Sequence, residues 1–212
     1  MFLKFPVVYL PTVMKDKIIQ KAAELFINLG FKSVTMDDIA NEMGISKKTI
    51  YTHYNNKTEL VRETTLAIVE NISHGIDCIC ALDKDPIEEL YEIKKFMLLR
   101  LKDEKSSPQY QLQKYYPEIY EQLKSKQFEK MQECTKKNLS RGIELGLYRV
   151  NMNVEIISRL YFMGITKIKD DTLFPSNLFN RVQLMEDYLE YHLRGIVTEK
   201  GLRTLKKFIN KN

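Results

Sequence analysis

The sequence predicts an all-α protein of about nine or ten helices. Three observations carry this. Four helix-start signals crowd into residues 14–60 and leave no room for strands. Gly30 and Gly44 stand where helices in that stretch must stop. From residue 86 onward apolar side chains recur at helical spacing, and no alternating run is found.

The first helix spans residues 15–29, with Ile18, Ala22, Leu25, Phe26 and Leu29 on one face and Gly30 where a left-handed C-terminal residue belongs. Thr35 followed by Asp38 is a capping-box pattern, and opens a second helix that ends at Met43. Gly44 supplies positive φ for a sharp turn, and Ser46 caps a third helix from Lys47 through Tyr54. Asn56 with Glu59 repeats the capping arrangement for a fourth helix toward Ser73.

Pro86 with Glu88 and Glu89 opens the next helix, which carries Leu90, Ile93, Phe96, Met97 and Leu101 to about residue 104 before Ser106-Ser107-Pro108 ends it. Pro117 starts a long helix with Ile119, Leu123, Phe128, Met131, Leu139 and Ile143, stopping near Gly146. Two segments, 151–169 and 180–197, are rich in Ile, Leu, Met and aromatics around a Pro175-Ser176-Asn177 loop. Residues 202–208 form a short basic helix. The expected division is a tail at 1–14, a helix-turn-helix domain at 15–62, and a helical domain at 63–212. The opening MFLKFPVVYLP is interrupted by Pro6 and Pro11 and lacks a small-residue cleavage site, so it reads as a tail rather than a signal peptide. Met14 opens the first helix as a natural start would, and residues 1–13 read as an upstream extension.

Composition narrows the class. With 44% hydrophobic and 29% charged residues the chain holds enough apolar material for a core, which argues against disorder. Three cysteines, an odd number in a chain too large to need staples, predict reduced thiols and a cytoplasmic protein. No apolar run reaches a membrane span. The net charge is +5, and residues 1–62 hold nine Lys or Arg against six Asp or Glu, so most of the excess lies at the N-terminal end. An anionic partner fits that end.

A helix-turn-helix braces one helix across a DNA backbone and lays the next in the major groove. Ile39, Ala40, Ile45 and Ile50 are the apolar positions that would fasten the second and third helices to the first. Opposite them stand Lys47, Lys48, Thr49, Tyr51 and His53, with no acid between Glu42 and Glu59 to repel phosphate. Lys47, Lys48 and Thr49, in the first turn, are the base-reading candidates, because Lys can bond guanine O6 or N7 and a Thr methyl can pack on thymine. Tyr51, His53 and Lys57 are positioned for phosphate oxygens, and Thr35 with the free N–H groups at its helix start is a fourth phosphate contact.

These residues resemble the helix-turn-helix of the tetracycline-repressor-like (TetR) family of bacterial regulators. Thr35, Ile39, Ala40, Gly44, Ile45, Ser46, Thr49, Ile50, Tyr51, His53, Tyr54, Asn56, Lys57 and Leu60 carry the resemblance, preceded at family spacing by Ala22, Leu25, Phe26 and Gly30. Ser46 and Tyr54 complete the DNA-facing set. Lys48 stands where the family often has a small residue or proline, and Thr52 where an aromatic is frequent, so both bear on which operator is read. The resemblance implies a ligand-responsive regulator, by default a repressor, that binds double-stranded operator DNA as a homodimer and is released by a small-molecule effector bound in its C-terminal domain.

The dimer has its own support, since one recognition helix buries too little surface for tight specific binding. Ile157, Leu160, Tyr161, Gly164, Tyr188, Tyr191, His192 and Gly195, on the segments 151–169 and 180–197, are the predicted interface, with the two glycines allowing close approach across a two-fold axis. Phe96, Tyr110, Tyr116, Tyr120 and Phe162 are candidates to line an effector pocket, although an aromatic core explains them as well. His74, Cys78 and Cys80 suggest a soft-metal site, but residues two apart on a helix diverge by about 200° and the reading is structural. No metal or cofactor is expected. Three histidines, with no nucleophile elbow, phosphate loop or dinucleotide glycine fingerprint, argue against an enzyme. A protein-interaction adaptor built on the same scaffold is the alternative, with a small-molecule enzyme behind it.

Overall fold

Capping signals and glycine stops place the N-terminal helices close to their predicted bounds in a computed structural model that describes residues 13–99 and 108–209, apart from the side chain of Gln109. The expected tail, but for its last two residues, and the stretch expected to carry a helix past residue 99 to its Ser106-Ser107 stop lie outside the described residues. The described residues hold ten α-helices: α1 (Met14–Leu29), α2 (Met36–Met43), α3 (Lys47–Tyr51), α4 (Lys57–Cys80), α5 (Pro86–Leu98), α6 (Pro108–Tyr115), α7 (Pro117–Glu144), α8 (Val154–Lys167), α9 (Arg181–Ile196) and α10 (Glu199–Ile209). Among them is no strand, only an isolated antiparallel bridge between Tyr148 and Val197. No helix among them is long and apolar enough to cross a membrane.

Three expectations shift. The third helix ends at Tyr51 rather than Tyr54, closing in a turn in which the Thr52 hydroxyl donates to the Thr49 carbonyl at 2.6 Å. The fourth runs to Cys80 rather than Ser73, because neither proline nor a left-handed glycine interrupts it; Gly75 sits inside the helix against the Phe96 ring. A short helix at 108–115 was not expected: Pro108 reads as a stop, yet it occupies the first helical position, where its missing N–H costs nothing.

The described residues divide into two compact units, residues 13–74 with 108–127, and residues 75–99 with 128–209. In the first, Ile18, Ala22, Leu25 and Phe26 of α1 form one core with Ile39 and Ala40 of α2, Ile50 of α3, and Leu60, Val61 and Val69 of α4. Leu112, Ile119 and Leu123 join it from α6 and the start of α7. Gly30 has φ 90° and ψ 152°, positive but extended rather than left-handed, and a Cβ there would run into the Gln111 side chain.

In the second unit, Ile87 and Leu90 of α5, Leu139 of α7, Tyr161 of α8, Leu189, Leu193 and Ile196 of α9 and Leu205 of α10 form a separate core. A buried polar knot stands beside it. Asn138 donates to the Pro86 carbonyl at 2.9 Å and to Glu89 at 2.7 Å, and Arg141 reaches the second Glu89 oxygen at 3.0 Å. The buried Tyr148 hydroxyl donates to Asn138 at 3.1 Å. The buried polar groups of Glu89, Asn138 and Tyr148 are thereby satisfied.

Candidate nucleic-acid interface

The sequence Thr35–Leu60 folds as a chain of caps. The Thr35 hydroxyl accepts from the Asp38 N–H at 3.1 Å while the Asp38 carboxylate accepts the Thr35 N–H at 2.7 Å, a complete capping box. The Thr35 N–H, and after it the Thr35 hydroxyl donating to the same carboxylate, hold the Asp38 carboxyl below its ordinary range. Gly44 ends α2 in the left-handed conformation, φ 64° and ψ 31°, and returns its N–H to the carbonyls of Ala40 and Asn41. Ser46 then accepts the Thr49 N–H at 3.1 Å and caps α3. Asn56 caps α4 through the Glu59 N–H at 2.9 Å, but the Glu59 carboxylate returns to the backbone and side chain of Asn55 rather than to Asn56.

Only Ile50 of α3 is buried, so one side chain seats the whole helix on its core while Lys47, Lys48 and Tyr51 face solvent. Lys47 is paired at 2.6 Å with Asp37 of α2, which raises its pKa. Lys48 is exposed and has no ion-pair partner among the described residues. Thr49 is half-buried and its hydroxyl lies 2.9 Å from that of Ser46. His53 is half-buried in the turn after α3. Lys57, at the first position of α4, is half-buried, donates to the Lys32 carbonyl at 3.2 Å and has its pKa lowered by burial. Two of its three N–H donors remain for another acceptor.

Two expectations need revision. Tyr54, placed in the DNA-facing set, is 1% exposed and belongs to the core. Its hydroxyl finds no hydrogen-bond partner among the described residues, and burial pushes its pKa well up. Thr35 faces solvent as expected, but its single hydroxyl proton is given to Asp38 at 2.8 Å, so a phosphate contact there requires exchange of that bond or use of backbone N–H groups.

The predicted interface residues of α8 and α9 separate into two faces. Ile157, Tyr161, Tyr188 and His192 turn inward onto the second core, where the His192 ring lies 4.6 Å from that of Tyr161. Burial pulls the His192 pKa down to about 4. Leu160 and Tyr191 face solvent, 47% and 77% exposed, and Ile156 and Met163 of α8 and Val182 of α9 are also exposed. Gly164 corrects the sequence reading. A Cβ on it would lie 2.0 Å from the Tyr188 hydroxyl, so the close approach it permits is between α8 and α9 of one chain. Gly195 is exposed with nothing near its missing Cβ.

The pocket candidates fall in different units. Tyr116 and Tyr120 pack against the first core and Tyr110 is 59% exposed, whereas Phe96 lies against Gly75 and Phe162 meets Phe128 edge-on at 5.0 Å in the second unit. No group of three metal-ligating side chains occurs among the described residues.

Residues 18–64 match the family model of bacterial regulatory proteins of the tetR family. Over 82 residues the chain is 39% identical to IcaR, the negative transcriptional regulator of the biofilm operon in Staphylococcus epidermidis; the match covers 37% of this chain and only 42% of that protein. The transcriptional repressor KstR2 of Mycolicibacterium smegmatis is 24% identical over 198 residues, 90% of this chain and 94% of the relative. Among solved structures, the efflux-pump repressor SmeT of Stenotrophomonas maltophilia superposes with a TM-score of 0.68 at 15% identity, over 89% of this chain and 92% of that one. A transcriptional regulator from Saccharomonospora viridis, in complex with choline, gives 0.72 at 16% identity, over 87% and 98%. At these identities the structural likeness is one of fold. Residues 18–64 thus match the helix-turn-helix segment of the tetR family of bacterial regulatory proteins, and the described helices share the fold of these solved regulators.

Proposed function

We propose that the protein is a transcriptional regulator that binds a palindromic DNA operator as a homodimer and represses from it. The observation that carries this is α3: capped at Ser46, seated by Ile50, and presenting Lys47, Lys48 and Tyr51 to solvent in a stretch with no acid from residue 43 to residue 58. Lys48 and Thr49 read base edges, Lys47 joins them once DNA displaces Asp37, and Tyr51, His53 and Lys57 hold phosphates and set register. The exposed apolar residues of α8 and α9 supply the face on which two copies pair, so that two recognition helices meet successive major grooves. The regulator acts in the cytoplasm, where DNA is met.

A small-molecule effector releases the DNA by preferring a conformation in which the two recognition helices are wrongly spaced. The structural neighbour in complex with choline supports a protein of this fold accommodating a small organic molecule. Phe96 and Phe162, both of the second unit, are the aromatic candidates for such contacts.

The test is fluorescence anisotropy on the DNA upstream of the protein's own gene. Affinity should fall about a hundredfold between about 50 and 200 mM salt if about four phosphates are neutralised, because each releases counterions. Salt-independent association, or no preference for that DNA over random sequence, would overturn the proposal and favour an adaptor.

A further inference from the structure

Two cysteines that look unrelated in sequence meet in the second unit. Cys80 is the last residue of α4 and Cys134 lies in α7, and folding brings their side chains together at the wall of one cavity. Neither is part of a disulfide, and both are half-buried. Both line a cavity of about 540 Å³. Lys130, one helical turn before Cys134, is held by Asp77 at 2.6 Å and carries positive charge to the Cys134 sulfur.

The asymmetry within the pair has a physical cause. The Cys80 S–H donates to the Cys134 sulfur and, with Lys130, favours the Cys134 thiolate, so that its pKa is lowered although burial opposes this. Donation of the same proton, together with burial, pushes the Cys80 thiol up. One sulfur is prepared as a nucleophile and its neighbour keeps a proton.

We infer that Cys134 and Cys80 form a hydroperoxide-reactive dithiol, in which Cys134 attacks and Cys80 resolves. The Cys134 thiolate attacks the outer oxygen of a hydroperoxide; an S–O bond forms, the O–O bond breaks, and the alkoxide or hydroxide leaves and takes a proton from solvent. The sulfur is oxidised by two electrons and the peroxide is reduced by two. Cys80 sulfur then attacks the Cys134 sulfenic acid; an S–S bond forms, the S–O bond breaks, and the hydroxide departs with the Cys80 proton as water. A small dithiol reductant then attacks the disulfide by exchange, returning both cysteines to thiols and itself becoming a disulfide. The Cys80–Cys134 disulfide ties the end of α4 to α7 within the second unit.

The experiment uses the full chain with Cys78→Ser, which leaves only this pair. Treated with a modest excess of hydrogen peroxide, the protein should lose both thiols and two hydrogens in mass, and peptide mapping should join Cys80 to Cys134, with dithiothreitol restoring both. Adding Cys80→Ser should leave a sulfenic acid on Cys134 that dimedone traps, and adding Cys134→Ser should leave Cys80 unmodified over the same period. Retention of both thiols, oxygen addition without a Cys80–Cys134 link, or a dimedone adduct on Cys80 in place of Cys134 would overturn the inference. The two-cysteine protein needs no substitution at either reacting position, so a poorly folding serine variant leaves the first result decisive.

Discussion

At the scale of single residues, the proposed DNA complex divides its work between Lys48 and Lys57. Lys48 stands in the first turn of an exposed helix and has no ion-pair partner among the described residues to give up. Lys57 is half-buried at the start of α4 and already anchored to a carbonyl. Lys48→Ala is expected to change preference at one half-site position by about 1–3 kcal/mol, and Lys57→Ala to weaken binding alike on all sequences. Anisotropy on a panel of single-base operator variants separates the two; equal losses everywhere would remove Lys48 from base reading. His192 makes a second prediction. Its folded pKa, about 4, lies below the ordinary 6.5, so as pH falls from 6.5 the unfolded chain takes up a proton that the folded chain refuses. Stability from this group is complete above pH 6.5, declines between 6.5 and about 4, and levels off below, an effect of up to about 3 kcal/mol. Urea midpoints measured against pH should show that slope, and His192→Phe should flatten it.

At the scale of elements, α3 is too short to hold itself and depends on its caps and on Ile50. Ser46→Ala should cost about 1 kcal/mol. Gly44→Val should cost about 1–2 kcal/mol from backbone strain alone, since nothing lies within 4 Å of the missing Cβ to clash, and should also weaken DNA binding. Thermal melts of both variants check this. Further on, Gly164→Ala should destabilise the chain by about 1–3 kcal/mol, because the new methyl displaces the Tyr188 hydroxyl from its two carbonyl acceptors. Gly195→Ala meets open space and should stabilise α9 by up to about 1 kcal/mol. What could be read from sequence follows the range of the interaction. Thr35, Gly44 and Ser46 act over three or four residues, and the string displays them. Tyr54, Gly164, and the pair of Cys80 with Cys134 depend on partners brought by folding. Pro108 misled because proline marks helix starts and stops alike, and among the described side chains of α6 only Leu112 is fully buried to reveal a period.

At the scale of the molecule, the apolar residues left outside on α8 and α9 call for a second copy. Ile156, Leu160, Met163, Val182 and Tyr191 are exposed beside inward partners that already complete the core. Leu160→Glu combined with Tyr191→Glu should leave helicity unchanged, yield a monomer by light scattering, and weaken operator binding by removing the paired half-site. A wild-type monomer at micromolar concentration would remove the basis for that interface. On α8 and α9 the side chains that face the core and several that face solvent are both apolar, so composition alone does not separate them. Ile157 and Leu160 then look alike until packing separates them.

The single buried anchor of α3 has a consequence for change over time and for engineering. Because Ile50 alone seats that helix, Lys47, Lys48, Tyr51 and Thr52 can be exchanged without disturbing the hydrophobic interior. Specificity is thereby uncoupled from foldability. A library randomised at those four positions should return mostly folded proteins with diverse operators, whereas the same effort spent at Ile50 should return few that fold.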